Sequence, residues 1–106
     1  MADGEVPEEV RRRLCLVLDV DDLVVARRTA RLLAPWFSTV KVGLELFSAA
    51  GPEAVASFVE EGFDVFCDLK LHDIPNTVGS AARVLGALGT RWVTVHTSGG
   101  GPMLRA

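Results

Sequence analysis

The sequence of 106 residues lacks several features that mark large classes of protein. Its longest apolar runs, such as 14–18, are far shorter than the roughly 20 residues that a membrane-spanning helix needs. Lysine and arginine total 11 against 14 aspartates and glutamates, which disfavours a strongly basic nucleic-acid binder. Intrinsic disorder is excluded, because 49% of the residues are hydrophobic and the formal net charge is only -3. We therefore expect neither a nucleic-acid partner nor a membrane partner.

The chain is also poor in cysteine and histidine, with two of each. Cys15 and Cys67 lie far apart, form no CxxC motif and fall in apolar runs, so we interpret both as buried free thiols of a reducing compartment. A structural zinc site is not expected from so few ligands. The first 13 residues carry four acidic side chains where a signal peptide would have positive charge and then an apolar stretch. These features predict an intracellular, cytoplasmic protein.

What the sequence does contain is a regular alternation of strand and helix patterns. Residues 14–18 are wholly apolar, as expected for a strand buried on both faces. An amphipathic helix over 23–33 follows, with Asp21 or Asp22 as its N-cap and a stop near Pro35. Further strands are predicted at 39–43, 63–70 and 91–96, with helices opening at Gly51–Pro52, near Pro75 and at Met103.

This order of elements predicts a single α/β domain, 1–106, with a parallel sheet and right-handed crossovers. Two architectures fit. One is a small open, doubly wound sheet. The other is the first four strands, with three connecting helices, of a TIM (β/α)8 barrel, which normally needs about 250 residues. Periodicity does not separate them, so the placement of polar residues is the better guide.

Charged residues stand at or near the carboxyl ends of the first three predicted strands. Asp19 follows the first strand and Lys41 lies on the second, while Asp68 and Lys70 end the third, with Asp73 three residues further on. In both architectures the active site lies at these strand ends. Asp68 and Lys70 are two positions apart on an extended segment and therefore point to the same face. Each of these residues alone is explained by a helix cap, a turn or a surface ion pair. Together, at the same edge of the sheet, they predict a functional site.

The other motifs in the sequence are weaker evidence of a binding or catalytic site. No GxGxxG follows the first strand, where the acidic turn 19–22 would repel a pyrophosphate, so a Rossmann dinucleotide site is not expected. The loop Gly99–Gly101 has the composition of an anion cradle, but we interpret it as a flexible connection. His72 and His96 have no nearby serine or cysteine partner in sequence, and we interpret both as structural.

The segment 68–78, Asp-Leu-Lys-Leu-His-Asp-Ile-Pro-Asn-Thr-Val, resembles the signature of bacterial-type orotidine 5'-phosphate decarboxylase, whose core is D-x-K-x-x-D. Three other segments also resemble this family. They are Leu18-Asp19 at the end of the first strand, 40–47 on the second, and Val95-His96 before the glycine-rich loop. The resemblance runs from about Leu14 to Ala106. It implies the TIM-barrel family, with this chain forming a half-barrel.

The resemblance implies a cofactor-free and metal-free decarboxylation of orotidine 5'-phosphate to uridine 5'-phosphate, in de novo pyrimidine synthesis. Lys70 matches the lysine that protonates C6, and Asp68 matches the aspartate beside the substrate carboxylate. Lys41 and Asp73 complete an alternating array of lysines and aspartates. Asp19 and Lys41 match residues that bind the ribose hydroxyls.

The resemblance also implies a homodimer. Asp73, Ile74 and Thr77 match a loop that reaches the neighbouring subunit's site and contacts the substrate there. Family members are full eight-stranded barrels, and their second half supplies the phosphate-gripping arginine and glycine and a closing loop, none of which can be assigned in this sequence. We therefore expect the isolated 106 residues to be weakly active or inactive.

Two other interpretations stay open. The D-x-K-x-x-D core is shared with sugar-phosphate decarboxylases and aldolases of the same suprafamily; a Mg²⁺-dependent member would need a further acidic ligand, for which Glu45 or Asp19 is nearest. Dependence on Mg²⁺ would separate that interpretation from the first. Alternatively, the chain is a non-catalytic half-barrel whose motif serves assembly or binding, which the Lys70→Ala substitution would test.

Overall fold

A computed structural model describes residues 5–106. The first four residues of the predicted domain, including the acidic Asp3, lie outside the described residues. The strands are β1 (Cys15–Val17), β2 (Thr39–Gly43), β3 (Asp64–Leu71) and β4 (Trp92–Val95). The helices are α1 (Glu8–Arg11), α2 (Leu23–Leu33), α3 (Leu44–Ala50), α4 (Glu53–Glu60), α5 (Pro75–Ala87) and α6 (Gly101–Arg105), with a 3₁₀ turn at Thr97–Gly99.

The four strands form one parallel sheet in the order β1-β2-β3-β4. Each strand pairs with the next along the chain; Leu16 lies opposite Val40, and Val40 opposite Val65. The helices fill the crossovers that parallel pairing requires. The α/β prediction is confirmed, and the sequential order is that of four consecutive units of a barrel rather than of a doubly wound sheet, in which the strand order reverses.

The hydrophobic core lies between one face of this sheet and the helices. Alternate strand residues such as Val40, Val42 and Val65 are fully buried there, together with Leu46 of α3 and Phe58 of α4. Because neighbouring residues of a strand point to opposite faces, the residues between them belong to the other face. That second face carries the polar residues described below.

Local signals position the helices largely as predicted. Asp22 is the N-cap of α2, and its Oδ1 accepts hydrogen bonds from the backbone N–H groups of Val24 and Val25 at 2.8 and 3.1 Å. The predicted inward residues Ala26 and Ala30 are fully buried. In α5 the proline stands in the first turn, and Val78 and Leu85 are buried as expected. None of the helices in residues 5–106 combines the length and apolar character needed to cross a membrane.

The prediction that β1 is buried on both faces is wrong. Cys15 is exposed and Val17 retains 50% of its accessible surface, because within residues 5–106 β1 is an edge strand and the helices of the core pack on the other face of the sheet. The interpretation of Cys15 as a buried thiol fails for the same reason, whereas Cys67 is buried as predicted. The segment 40–47 is also divided: β2 ends at Gly43, and α3 begins at the next residue.

Candidate active site

A single carboxylate, that of Asp68, organises the polar face of the sheet. Its Oδ2 accepts hydrogen bonds from Nζ of Lys41 at 2.9 Å and from Nζ of Lys70 at 3.1 Å. Its Oδ1 accepts a third from Oγ1 of Thr94 at 2.7 Å. Asp68 keeps only 8% of its accessible surface, so a nearly buried charge is fully partnered. Lys41 and Lys70 are the two lysines of the sequence, and both ammonium groups meet on one oxygen.

The strand register brings these groups together. Gly43 of β2 lies opposite Asp68 of β3. Lys41, two residues before Gly43, shares its face of the sheet because side chains alternate along a strand. The Lys41 side chain therefore reaches the carboxylate diagonally across the strand pair. This register brings charged residues from separate parts of the sequence together at the ends of adjacent strands.

A bulge in β3 places Lys70. Cys67 pairs with Val93 and Leu71 pairs with Val95, so the three residues 68–70 lie opposite Thr94 alone. Lys70 has a φ of 52°, a left-handed conformation that is uncommon for a residue with a side chain. Its backbone N–H donates to Oγ1 of Thr94 at 2.9 Å. The Asp68 and Lys70 side chains meet at 3.1 Å, although the expected reason, an extended segment, does not hold at Lys70.

These contacts stabilise the charged forms of Asp68 and Lys41. The hydrogen bond from Thr94 and then that from Lys41 hold the pKa of Asp68 well below its usual range, against the opposing effect of burial. The hydrogen bond to Asp68 raises the pKa of Lys41, and the charge of Asp19 adds to this rise while burial opposes it. At neutral pH Asp68 is therefore an anion and Lys41 a cation. The Asp19 carboxylate lies beside the cluster, close to Gly43.

The predicted loop residues lie outside this cluster. Asp73, Ile74 and Thr77 are all exposed, and Ile74 keeps 64% of its accessible surface. Oδ1 of Asp73 accepts a hydrogen bond from the backbone N–H of Ile74 at 2.7 Å, which orders the turn before α5. Within residues 5–106, none of the three donates or accepts a bond in the Asp68 cluster. Glu45, the alternative acidic ligand, is exposed in the first turn of α3.

Two other predicted features have a defined place. The rings of His72 and His96 lie 5.2 Å apart between their centroids, at the ends of β3 and β4, and both residues are exposed. The glycine-rich loop forms the 3₁₀ turn and the start of α6. A Cβ atom on Gly99 would overlap Sδ of the buried Met103, so the glycine there serves packing. Across the described part of the chain, no three His, Cys, Asp or Glu residues are grouped so as to hold a metal ion.

Sequence reasoning missed Thr94. A threonine in a strand is common, because its branched Cβ suits extended backbone. The available signal was its position: Thr94 is the polar residue at the centre of β4, flanked by Val93 and Val95. The contact to Asp68 depends on the register of β3 with β4, in which Cys67 pairs with Val93, and the contact to the Lys70 N–H depends on the bulge in β3. The spacing of apolar residues predicts neither of them.

Comparison with known proteins gives one consistent result. The sequence profile of the Orotidine 5'-phosphate decarboxylase / HUMPS family matches residues 12–106. The chain is similar to the orotidine 5'-phosphate decarboxylase of Anaeromyxobacter dehalogenans, with 51% identity over 94 residues, covering 89% of this chain and 41% of that protein. It is also similar to that of Cutibacterium acnes, with 63% identity over 67 residues, covering 63% of this chain and 28% of that protein.

Solved structures agree with the sequence comparison. The crystal structure of orotidine 5'-phosphate decarboxylase from Pyrococcus horikoshii superposes with a TM-score of 0.81 at 31% identity, covering 87% of this chain and 45% of that one. An uncharacterized conserved protein from Geobacillus kaustophilus gives a TM-score of 0.76 at 42% identity, covering 85% of this chain and 42% of that one. The chain thus spans less than half the length of the relatives that it matches.

Proposed function

Because this chain belongs to the orotidine 5'-phosphate decarboxylase / HUMPS family, we propose that it carries the catalytic array of an enzyme that converts orotidine 5'-phosphate into uridine 5'-phosphate and carbon dioxide. The observation that carries this proposal is the pairing of the buried Asp68 carboxylate with the Lys41 and Lys70 ammonium groups, at 2.9 and 3.1 Å. In the cell the reaction would complete de novo pyrimidine synthesis, in the cytoplasm.

The reaction needs a fixed positive charge at one carbon. When the bond between C6 and the substrate carboxylate breaks, carbon dioxide leaves and the electron pair stays on C6. The Lys70 ammonium stabilises this developing negative charge and then transfers a proton to C6, which gives uridine 5'-phosphate and a neutral amine. Solvent returns the proton to the amine. The Lys70 side chain suits this role, because it is held at Asp68 and yet keeps 56% of its accessible surface open to a ligand.

Asp68 and Lys41 hold the donor in place. Asp68 anchors the Lys70 ammonium, and Lys41 provides the second positive charge that keeps a buried carboxylate stable. In this proposal Asp68 also lies beside the substrate carboxylate, where like charges repel. We give more weight to stabilisation of the transition state by the whole array, since only interactions that are stronger there than in the ground state accelerate the reaction.

The remaining predicted residues act in substrate binding. Asp19 and Lys41 would bind the ribose hydroxyls, which fits the position of Asp19 at the rim of the cluster. Asp73, Ile74 and Thr77 would reach the site of a second subunit in a homodimer, with Asp73 completing that subunit's array. Their exposure and their separation from the Asp68 cluster support this assignment.

The relatives are about twice as long as these 106 residues, so we expect their substrate sites to involve more chain than these residues provide. Binding energy from parts of a substrate remote from the reacting bond is what closes and organises such sites. We therefore expect the 106 residues by themselves to decarboxylate weakly or not at all, without need of a metal or cofactor.

A chimera tests the function directly. The 94 residues of the Anaeromyxobacter dehalogenans relative that match this chain are replaced by those of this chain, which are 51% identical. The ultraviolet absorbance of orotidine 5'-phosphate is followed with EDTA and, separately, with added Mg²⁺. We expect turnover that EDTA does not reduce. A folded chimera without turnover, beside an active parent, would contradict the proposal and favour a non-catalytic half-barrel. Turnover of a keto-sugar phosphate that requires Mg²⁺ would favour the suprafamily alternative.

A further inference from the structure

Thr94 lies where the pairing of β3 and β4 is interrupted. Three residues of β3, 68–70, lie opposite this one residue of β4, because the regular pairs resume only at Leu71 and Val95. A bulge of this kind leaves backbone groups without their usual partner on the neighbouring strand. The structure fills the gap with a side chain, since the N–H of Lys70 donates to Oγ1 of Thr94 at 2.9 Å.

The same hydroxyl also binds the carboxylate of the site. Oγ1 of Thr94 donates its proton to Oδ1 of Asp68 at 2.7 Å while it accepts from Lys70. One hydroxyl therefore uses both its donor and its acceptor capacity on the two ends of the bulge. These bonds leave Oδ2 of Asp68 for the two ammonium groups. A single atom, Oγ1 of Thr94, therefore contacts both the Asp68 carboxylate and the backbone of Lys70.

The contact between the Thr94 hydroxyl and Lys70 matters because the Lys70 backbone has an unusual conformation. A φ of 52° is sterically unfavourable for a residue with a Cβ atom, so the surrounding contacts must hold it. A change of the Lys70 φ would reorient its Cα–Cβ bond and shift the ammonium that Asp68 now holds at 3.1 Å. Within the described residues, the hydrogen bond from the Lys70 N–H is made to the Thr94 hydroxyl, outside the strand ladder.

We infer that Thr94 is a positioning residue that aims the Lys70 ammonium at the reacting carbon, by holding both the left-handed backbone of Lys70 and the Asp68 carboxylate. The inference rests on the proposed function for the identity of the reaction. It assigns Thr94 no contact with the substrate. Its effect on catalysis passes through Lys70 and Asp68, so it should appear in the turnover number more than in the binding of the substrate.

Two substitutions separate the hydroxyl from the shape of the side chain. Thr94→Val removes the hydroxyl and keeps the branched form, whereas Thr94→Ser keeps the hydroxyl. In the 106-residue chain, carbon-13 NMR follows the titration of the Asp68 carboxyl and the backbone shifts of Lys70, and circular dichroism monitors the fold. In the chimera, kcat and KM for orotidine 5'-phosphate are measured.

We expect Thr94→Val to raise the Asp68 pKa towards its ordinary range and to move the Lys70 backbone shifts away from left-handed values. We also expect it to lower kcat by about ten- to a hundred-fold while KM changes by less than about three-fold. Thr94→Ser should restore the titration, the backbone shifts and most of kcat. If Thr94→Val does not fold, Thr94→Ala replaces it.

The results that would overturn the inference differ from those that would overturn the proposed function. An unchanged Asp68 titration and unchanged Lys70 shifts in Thr94→Val would refute the positioning role, whether or not the chimera is active. Equal losses of kcat in Thr94→Val and Thr94→Ser would do the same, because the hydroxyl would then not be the cause. A folded chimera that lacks turnover before any change at Thr94 would count against the proposed function alone.

Discussion

The carboxylate of Asp19 approaches Gly43 so closely that a Cβ atom at this position would crowd it. A Cβ built on Gly43 would lie 3.2 Å from Oδ1 of Asp19, closer than ordinary van der Waals contact. Gly43 ends β2, two residues after Lys41, and lies opposite Asp68. The glycine thus leaves room for an acidic side chain from β1's carboxyl end to approach the lysine and aspartate of the site.

Substituting Gly43 by alanine should push the Asp19 carboxylate away by a few tenths of an ångström. In the proposed function Asp19 binds a ribose hydroxyl, so Gly43→Ala should raise KM for orotidine 5'-phosphate about three- to ten-fold and leave kcat within about two-fold. Steady-state kinetics of the chimera measure both. The control is Gly86→Ala in α5, where no atom lies within 4 Å of the added Cβ. A KM for Gly43→Ala equal to that of the control would show that Asp19 does not bind substrate from this position.

The charge of Asp68 should appear in the acid stability of the chain. Its pKa is held below the unfolded value of about 3.9, chiefly by the Thr94 hydroxyl and Lys41, so the unfolded state binds the proton more readily. The stabilisation is present above the unfolded pKa, and it is lost as pH falls below about 4 towards the folded pKa. Urea unfolding between neutral and acid pH should therefore give a flatter pH dependence for Asp68→Asn. The exposed Asp21→Asn serves as the control, and equal slopes for the two variants would refute this account.

Much of the site was predictable because strand ends follow a simple rule. The carboxyl ends of parallel strands meet at one edge, so Asp19, Lys41, Asp68 and Lys70 could be expected together from their sequence positions alone. Their pairing on one oxygen of Asp68 could not, since it depends on the register of β2 with β3 and on the bulge. Register and bulges arise from contacts between segments distant in sequence.

The wrong predictions about the fold have the same cause, namely contacts between segments that are distant in sequence. An apolar run such as 14–18 predicts a strand, but whether Cys15 and Val17 are covered depends on what packs on that face of the sheet. The start of α3 was not predicted, because Leu44, Glu45 and Leu46 alternate between apolar and charged as they would in a strand. Its N-cap, Gly43, also makes no side-chain hydrogen bond that the sequence could indicate. The N-cap of α2, in contrast, is a local interaction and was predictable.

That N-cap provides a test of local stability away from the site. Asp22→Ala removes the acceptor of two backbone N–H groups at the start of α2, which should lower the free energy of unfolding by about 1 kcal/mol. Chemical denaturation followed by circular dichroism gives the value. Asp21→Ala, the neighbouring exposed aspartate outside the helix, is the matched control and should change the stability little. Equal effects of the two substitutions would mean that the cap does not stabilise the helix.

The two thiols should differ sharply in reactivity. Cys15 is exposed, although partial burial of its thiol raises its pKa. Cys67 is fully buried, and desolvation raises its pKa to about 11. Because the thiolate is the reactive form, iodoacetamide at mildly alkaline pH should label one thiol of the native chain and two in urea. Mass spectrometry counts the labels, and Cys15→Ser should leave the native chain unlabelled. Rapid labelling of Cys67 in the native chain would show that the sheet does not protect it.

The most direct test of the account is the loss of the Lys70 ammonium. In the chimera, Lys70→Ala should lower kcat for decarboxylation of orotidine 5'-phosphate by at least about a hundred-fold, since it removes the proton donor, while the substrate still binds. Arg83→Ala, which removes an exposed positive charge from α5, should leave kcat unchanged. A Lys70→Ala chimera that is folded and turns over at the rate of the Arg83→Ala control would contradict the assignment of Lys70 as the group that protonates C6.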